Sequence, residues 1–185
     1  MAVNKRNPGI AIFSLDDMLQ EIYFNKTDWN IVSIRDSDHA AILYQDFYDC
    51  RRNYGEIIIE TFDDIIDESS VLRRADAGQV RRILEWSEGK NKIAVHCHMG
   101  ISRSSAIAYL IACTRMPERK ALEILDFSMH YPNRHIVYLG ASMLGREAVY
   151  RECMDWLEVA DKKLMKTYFK NAKNDIRYSL KTKAT

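Results

Sequence analysis

The stretch KIAVHCHMGISRSSAIAYLIAC, residues 92–113, decides the fold class of this chain. Its first residues, KIAV, have the pattern of a short buried strand, whereas the run from Ser104 onward is strongly apolar and typical of a buried helix. Between them stand Cys97, flanked by two histidines, then Gly100 and Arg103. We therefore expect the chemistry of the protein at a strand-to-helix junction.

A loop of this kind is suited to bind an anion. Gly100 permits a backbone shape that a side chain would obstruct, so successive N–H groups can turn inward above the N-terminus of the following helix. A phosphate group fits such a loop. The predicted substrate-binding residues are His98, Met99, Gly100, Ile101, Ser102 and Arg103.

Cys97 lies at the base of this loop, where backbone N–H groups, the helix dipole and Arg103 all favour thiolate over thiol. A thiolate is a nucleophile. The planar guanidinium of Arg103 can hold two phosphate oxygens at once and stabilise the charge of the transition state. The hydroxyl of Ser104 can hydrogen-bond the sulfur when it departs, and no metal is required.

The departing oxygen needs a proton, and the sequence ETFDDIID offers a source after the third predicted strand. Asp63, Asp64 and Asp67 are the candidates. A carboxylic acid there can protonate the leaving oxygen and then activate water against a thiophosphate intermediate. The residue pattern leaves the choice among the three open.

Strands alternate with helices in the first half of the chain, and helices dominate the second half. This order predicts a single α/β domain with a mostly parallel central sheet flanked by helices, with its site at the carboxyl ends of the strands. The predicted strands are 9–15, 29–36, 54–62 and 92–95. The predicted helices are 16–24, 74–89 (capped by Asp76 and Gln79), the run from Ser104 to 116, 117–130 and 138–164, with 131–137 as an interruption.

Length and composition limit the classes of protein to which the chain can belong. The chain has 185 residues, enough for one buried core, and 47% of them are hydrophobic. Four cysteines without a CxxC pair argue against a disulfide scaffold or a zinc ribbon. Without a secretory apolar segment or 18 consecutive apolar residues, we expect a cytoplasmic protein with no transmembrane segment.

The C-terminus differs in charge from the rest. Residues 161–185 carry eight Lys or Arg against two Asp, which predicts a folded domain at 1–160 followed by a basic helix or tail at 161–185. Such a tail can attract nucleic acid or an anionic surface. A solvated final helix explains it equally simply, so these partners are not favoured.

The sequence HCHMGISRS resembles the active-site signature of the cysteine-dependent protein tyrosine phosphatases: His-Cys, five residues, Arg, then Ser or Thr. Asp64 precedes Cys97 by 33 residues, a separation similar to that between general acid and nucleophile in the compact dual-specificity branch. The segment YPNRHIVYLGASMLGR (131–146) also resembles a Pro-Asn segment of small bacterial tyrosine-phosphatase-like proteins.

This resemblance implies a protein tyrosine phosphatase-like fold and a cofactor-free protein tyrosine or dual-specificity phosphatase. Its substrate would be a phosphorylated protein or another phosphomonoester. The implied roles are nucleophile for Cys97, phosphate binding for Arg103, general acid for Asp64, help to the departing sulfur for Ser104, and support of the loop by hydrogen bonding for His96.

Other interpretations share parts of this pattern. A metal site is disfavoured because His96, Cys97 and His98 alternate in direction on an extended chain. A rhodanese-type sulfurtransferase needs neither the acid nor the hydroxyl of Ser104. An RNA 5′-triphosphatase or a phosphoinositide phosphatase would enrich the loop in basic residues, and this loop has only His98 between cysteine and arginine. A non-catalytic phosphate-binding module remains a further alternative.

Overall fold

The computed structural model describes residues 9–37, 44–68 and 72–163. Within these ranges a parallel four-stranded sheet forms, with the strand order β1-β4-β2-β3. The sheet and its parallel direction confirm the predicted fold class, and each strand falls inside or within one residue of its predicted range. The strands are β1 (Ile10–Phe13), β2 (Asn30–Arg35), β3 (Ile57–Thr61) and β4 (Ile93–His96).

Helices cover both faces of this sheet. They are α1 (Leu15–Phe24), α2 (Tyr44–Asp49), α3 (Ala77–Ser87), α4 (Arg103–Cys113), α5 (Glu118–Ala121), α6 (Arg134–Leu144) and α7 (147–163), with short 3-10 turns at Arg51–Asn53 and Leu122–Ile124. The arrangement is the predicted single α/β domain. No helix in the described ranges has both the length and the apolar character that crossing a bilayer requires.

The alternation of side chains along β2 divides the core into two layers. Val32 and Ile34 belong to the larger cluster, with α3, α4, α6 and α7, whereas Ile31 belongs to a smaller one with α1. Because successive strand residues point to opposite faces, one strand supplies both layers. The sheet is therefore buried on each side, which explains its β-branched, nearly continuous apolar strands.

Helix α4 is the central helix of the larger layer. All eleven of its residues are buried, including Arg103 and Ser104 at its N-terminus. The hydroxyl of Tyr109 donates to the carbonyl oxygen of Val149 at 2.9 Å and so ties α4 to α7. The first turn of α4, which carries two of the predicted functional side chains, is thus held by packing on every side.

Helix α3 begins as predicted. The Asp76 carboxylate accepts from the backbone N–H of Gln79 while the Gln79 side chain accepts from the backbone N–H of Asp76, which forms a capping box. Val80 and Ile83 are fully buried. The amide of Gln79 also donates to the carbonyl of Thr61 at 2.9 Å and so fixes the helix start against the end of β3.

Other helix predictions were wrong. The helix predicted at 117–130 ends after one turn at Ala121 and is followed by the 3-10 turn at Leu122–Ile124. Beyond it the Asp126 carboxylate accepts from the backbone N–H and hydroxyl of Ser128, and local bonds of this kind compete with a continued helix. Helix α6 begins at Arg134, inside the predicted interruption, and stops at Gly145, which adopts a left-handed conformation and separates it from α7. Helix α2 was not predicted.

The predicted basic segment 161–185 falls outside the described residues from position 164 onward. Residues 161–163 continue α7.

Candidate active site

The loop between β4 and α4, residues 97–103, is called the phosphate loop below. Cys97 is its first residue and is 2% exposed. Its Sγ lies 3.2 Å from the Oγ of Ser104 in the first turn of α4. The predicted partner of the sulfur is therefore within hydrogen-bond distance of it.

The phosphate loop packs against the junction of β1 and α1. Gly100 has a φ of +73°, and a Cβ there would lie 2.7 Å from the backbone nitrogen of Ser14 and 2.8 Å from the carbonyl carbon of Phe13. The backbone N–H of Leu15 donates to the carbonyl of His98 at 3.0 Å. Position 100 thus requires glycine for two reasons, a left-handed backbone and the absence of space.

Arg103 reaches back toward the ends of two other strands. Its Nη1 donates to the carbonyl oxygen of Phe62 at 2.8 Å and lies 2.7 Å from a carboxylate oxygen of Asp36. The side chain is 5% exposed. Its buried Nε has no hydrogen-bond partner in the described part of the chain. A buried N–H without an acceptor is costly, so this donor is available to an anion in the loop.

Asp64 meets the phosphate loop from the segment after β3, residues 62–68, called the acid loop below. Its Oδ1 accepts one hydrogen bond from the hydroxyl of Ser102 and another from the side-chain amide of Asn133, each 2.8 Å long. Asp64 itself is exposed. A carboxyl group held at the rim of the loop and open to solvent has the placement that a proton donor to a bound substrate needs.

Asp63, the residue before Asp64, has different surroundings. It is 6% exposed, and its carboxylate accepts from the backbone N–H and hydroxyl of Ser37 and from the backbone N–H of Arg73. Burial alone would raise the pKa of Asp63, but these hydrogen bonds outweigh it and hold the pKa below the ordinary value. Such a carboxylate stays ionised and ties loops together. Asp67 is exposed.

His96 was predicted to support the loop by hydrogen bonding, and this stays a prediction. The residue is 1% exposed; among the described residues no hydrogen bond of its ring nitrogens has good geometry, although an interaction with the backbone of Cys97 contributes to its pKa. The ring stacks on Phe47 at 5.2 Å. Burial, with a further contribution from the charge of Arg35, lowers the pKa of His96 to about 3. The residue is a neutral packing element beside Cys97.

The remaining predicted loop residues line the opening. His98, Met99 and Ile101 are exposed, with Met99 at 63% and Ile101 at 39%. Ser102 is half-buried, and its hydroxyl donates to the carboxylate of Asp64. The rim of the loop is consequently more apolar than basic.

Two site residues escaped the sequence analysis. Asp36 follows β2 directly, and its position at the carboxyl end of a predicted strand was the available signal. Asn133 lies in the segment 131–146 that the resemblance had marked. Its side-chain oxygen caps α6 by accepting from the backbone N–H groups of His135 and Ile136, while its amide holds Asp64.

The other cysteines differ from Cys97 in their surroundings. Burial raises the pKa of Cys113 and Cys153 to about 12 and also raises that of Cys50. These three belong to the packed core. Among the described residues, no group of three or more His, Cys, Asp or Glu side chains is placed to hold a metal ion.

Comparisons with known proteins bear on the fold. No protein-family model and no curated protein sequence matches the chain. Among solved structures, the human tyrosine phosphatase-like serine/threonine/tyrosine-interacting protein is similar, with a TM-score of 0.52 and 16% identity over 76% of this chain and 94% of that one. PTPMT1 in complex with PI(5)P is similar with a TM-score of 0.50 and 9% identity over 81% and 95%. The chain therefore has the fold of the cysteine-dependent protein tyrosine phosphatases.

Proposed function

We propose that this protein is a phosphomonoester hydrolase of the protein tyrosine or dual-specificity class, acting through a phosphocysteine at Cys97. One observation carries the proposal. The segments after β3 and β4 bring together a buried thiol, a buried arginine at the start of α4 with an unpaired Nε–H, and an exposed carboxyl group at the loop rim. These are the nucleophile, the anion donor and the acid that cysteine-dependent phosphoryl transfer needs.

In the first step, the thiolate of Cys97 attacks phosphorus and forms a P–S bond while the P–O bond to the leaving group breaks. The backbone N–H groups of the phosphate loop and the guanidinium of Arg103 carry the charge on the phosphoryl oxygens. The departing oxygen takes the proton of Asp64. The hydroxyl of Ser102, which bonds that carboxyl group, keeps it at the loop rim.

In the second step, the Asp64 carboxylate takes a proton from water, and the water oxygen attacks phosphorus. The P–S bond breaks and the electron pair returns to Cys97. The hydroxyl of Ser104, 3.2 Å from the sulfur, donates to the returning thiolate and makes it a better leaving group. Inorganic phosphate then departs.

The apolar rim formed by Met99 and Ile101 favours a phosphorylated protein side chain over a highly charged substrate. A phosphoinositide head group or an RNA 5′-triphosphate carries further phosphates, and these are best held by Lys or Arg. The phosphate loop offers only His98 between Cys97 and Arg103. PTPMT1, whose structure contains PI(5)P, keeps the lipid class in the panel of substrates to be tested.

The experiment is hydrolysis of para-nitrophenyl phosphate in the presence of EDTA. We expect turnover by the wild type, loss of turnover in Cys97→Ser, and retained turnover in Cys153→Ala, which alters a core cysteine of α7. Wild-type protein that binds phosphate without turnover would make this chain a binding module instead. A rate panel of phosphotyrosine and phosphoserine peptides, a short-chain phosphoinositide and an RNA 5′-triphosphate then assigns the substrate, with the peptides expected to be fastest.

A further inference from the structure

A groove of about 330 Å³ runs along α1, on the face of the sheet opposite α4, and is called the α1 groove below. Its apolar part consists of Phe13 and Trp29, whose rings meet edge to face with centroids 6.2 Å apart, and of Phe24, which is 80% exposed. Asp17 and Glu21 line the same groove. The α1 groove therefore combines aromatic side chains with two carboxylates.

One end of the α1 groove lies beside the phosphate loop. Phe13 ends β1, and its carbonyl carbon lies 2.8 Å from the point where a Cβ on Gly100 would stand. Leu15 begins α1 and donates its backbone N–H to the carbonyl of His98. Trp29 directly precedes β2 and so marks the other end of the groove, at the amino ends of the strands. A peptide whose phosphate occupies the loop can therefore extend into the groove.

The two carboxylates have no cationic partner. Neither Asp17 nor Glu21 forms an ion pair with any described residue, and α1 itself contains no Lys or Arg. One oxygen of Asp17 accepts from the hydroxyl of Ser14 at 2.6 Å, and one oxygen of Glu21 accepts from the side-chain amide of Asn25 at 3.2 Å. The helix dipole favours Asp17 in the first turn of α1, but it does not explain Glu21 in the second.

A Lys or Arg side chain matches this combination of groups. Its methylene stem can lie along an aromatic surface while its charged end reaches a carboxylate, and a cation over an aromatic face is itself attracted to the ring. An apolar side chain would leave the carboxylates unused, and an acidic one would be repelled by them. The charge of the α1 groove therefore selects a basic occupant.

The position of the carboxylates limits where that basic residue stands in a peptide. Asp17 and Glu21 follow Leu15 by two and six residues, which is about 3 and 9 Å along the helix at 1.5 Å per residue. An extended peptide covers about 3.3 Å per residue, so these lengths correspond to about one to three residues.

We propose that the α1 groove is a substrate subsite for a Lys or Arg that stands within about three residues of the phosphorylated residue of a protein substrate. The inference rests on the proposed function for the phosphorylated substrate. It adds a feature of the substrate that the phosphate loop does not contact.

The experiment measures the binding of fluorescent phosphopeptides by anisotropy, with Cys97→Ser protein so that no ester is hydrolysed. Phosphotyrosine and phosphoserine peptides in an alanine host carry Lys, norleucine or Glu in turn at each of the three positions on either side of the phosphorylated residue. At one position or more we expect Lys to bind about fivefold more tightly than Ala, because a partly exposed ion pair and a cation–π contact are each modest. Norleucine, which resembles Lys without its charge, should gain less than twofold, and Glu should bind more weakly than Ala.

Variants of the groove assign the preference to Glu21. In Glu21→Gln the ratio of Lys to Ala affinity should fall to about twofold or less, and in Glu21→Lys the Glu peptide should become the tighter one. Glu85→Gln, which removes an exposed carboxylate of α3 on the opposite face of the sheet, is the matched control and should keep the wild-type ratio. Because each ratio compares two peptides on one variant, a general loss of affinity cancels.

Equal affinities for Lys and Ala at all positions would overturn the proposal, and so would a Lys preference that persists in Glu21→Lys. An equal gain from Lys and norleucine would make the groove an apolar subsite instead. Tighter binding of every peptide in Glu21→Lys would mean that basic residues of this chain itself compete for the groove, which also contradicts a substrate role. If protein with Cys97 intact fails to hydrolyse para-nitrophenyl phosphate while the Cys97→Ser protein prefers Lys, the proposed function fails and the subsite stands.

Discussion

The side-chain amide of Asn133 donates a hydrogen bond of 2.8 Å to the carboxylate of Asp64, a residue 69 positions earlier in the chain. The same side chain caps α6 through its oxygen. One residue thus fixes the start of a helix and the position of the proposed general acid. This double use allows the two roles to be separated by mutation.

Asn133→Ser keeps a good helix cap but is too short to hold Asp64. We expect kcat to fall about tenfold for phosphate esters with poor leaving groups, because a positioned acid contributes most there. The loss should be smaller with para-nitrophenyl phosphate, whose leaving group needs little protonation. Asn133→Ala should show the same kinetic loss and an additional destabilisation of about 1 kcal/mol. A serine variant that is kinetically identical to the wild type would contradict this role.

Asp64→Asn should remove the acid itself. We expect kcat to fall about a hundredfold with a phenyl phosphate of poor leaving ability and much less with para-nitrophenyl phosphate. The pH profile of kcat/KM should lose the limb that reports the acid. Asp67→Asn is the matched control in the same loop, and a larger effect in that variant would transfer the role to Asp67.

Asp63→Asn should lower the stability of the folded protein. The amide cannot accept from all three donors that Asp63 serves, so we expect a loss of about 1–3 kcal/mol in the free energy of unfolding at pH 7. Because the folded-state pKa of Asp63 is lowered, its contribution is present above the ordinary carboxyl pKa of about 3.9 and is lost as the pH falls through the lowered value. Urea unfolding at pH 7 and pH 3 checks this, since the difference between variant and wild type should shrink at pH 3.

Gly100→Ala should impair the phosphate loop without unfolding the core. The new Cβ would meet backbone atoms of Phe13 and Ser14 within 3 Å, so the loop must shift. We expect at least a tenfold loss of affinity for tungstate, a tetrahedral dianion that resembles phosphate, because the N–H groups leave their anion-binding arrangement. Gly89→Ala is the control: its φ of +71° is equally unfavourable for alanine, but apart from its chain neighbours no atom of the described residues lies within 4 Å of the added Cβ. That variant should lose about 1 kcal/mol of stability and no affinity.

If the proposed activity is present, hydrogen peroxide should abolish it by oxidising Cys97, and a thiol should restore it. Cys97 is only 2% exposed, so a reagent as small as peroxide is required. Cys113 and Cys153, with pKa values raised to about 12, remain thiols at neutral pH and react slowly. Mass spectrometry of the protein at partial inactivation should find the oxidation at position 97, and saturating phosphate should slow it. Oxidation first at Cys50 would contradict the assignment.

The sequence predicted the parts of the molecule that depend on local pattern. Residues 92–113 contain a strand, a loop and a buried helix that are marked by their apolar composition and by the glycine between them, and the capping box of α3 is a local signal as well. The helix predicted at 117–130 forms only one turn and a 3-10 turn, and the bonds of Asp126 to Ser128 that follow compete with helix beyond them.

Long-range contacts determine the features of the site that the sequence did not predict. The bonds of Asp64 to Asn133 and of Arg103 to Asp36 join residues far apart in the chain, so no spacing rule reveals them. The stacking of His96 on Phe47 depends on where α2 packs, and α2 itself was not predicted. The different surroundings of Asp63 and Asp64, which support the proposed role of Asp64, are likewise set by tertiary contacts.

The two adjacent carboxylates after β3 have opposite surroundings, one enclosed by three donors and the other at the loop rim. Their order along the chain is consequently as important as their presence. Inserting a residue directly after Phe62 would move Asp63 to the loop rim and leave the enclosed place to the inserted residue, whereas deleting Asp63 would move Asp64 into the enclosed place and bring Ile65 to the rim. Length variation in this protein should therefore be tolerated after Asp64 and not before it, which sets a boundary for loop grafting and for the design of chimaeras.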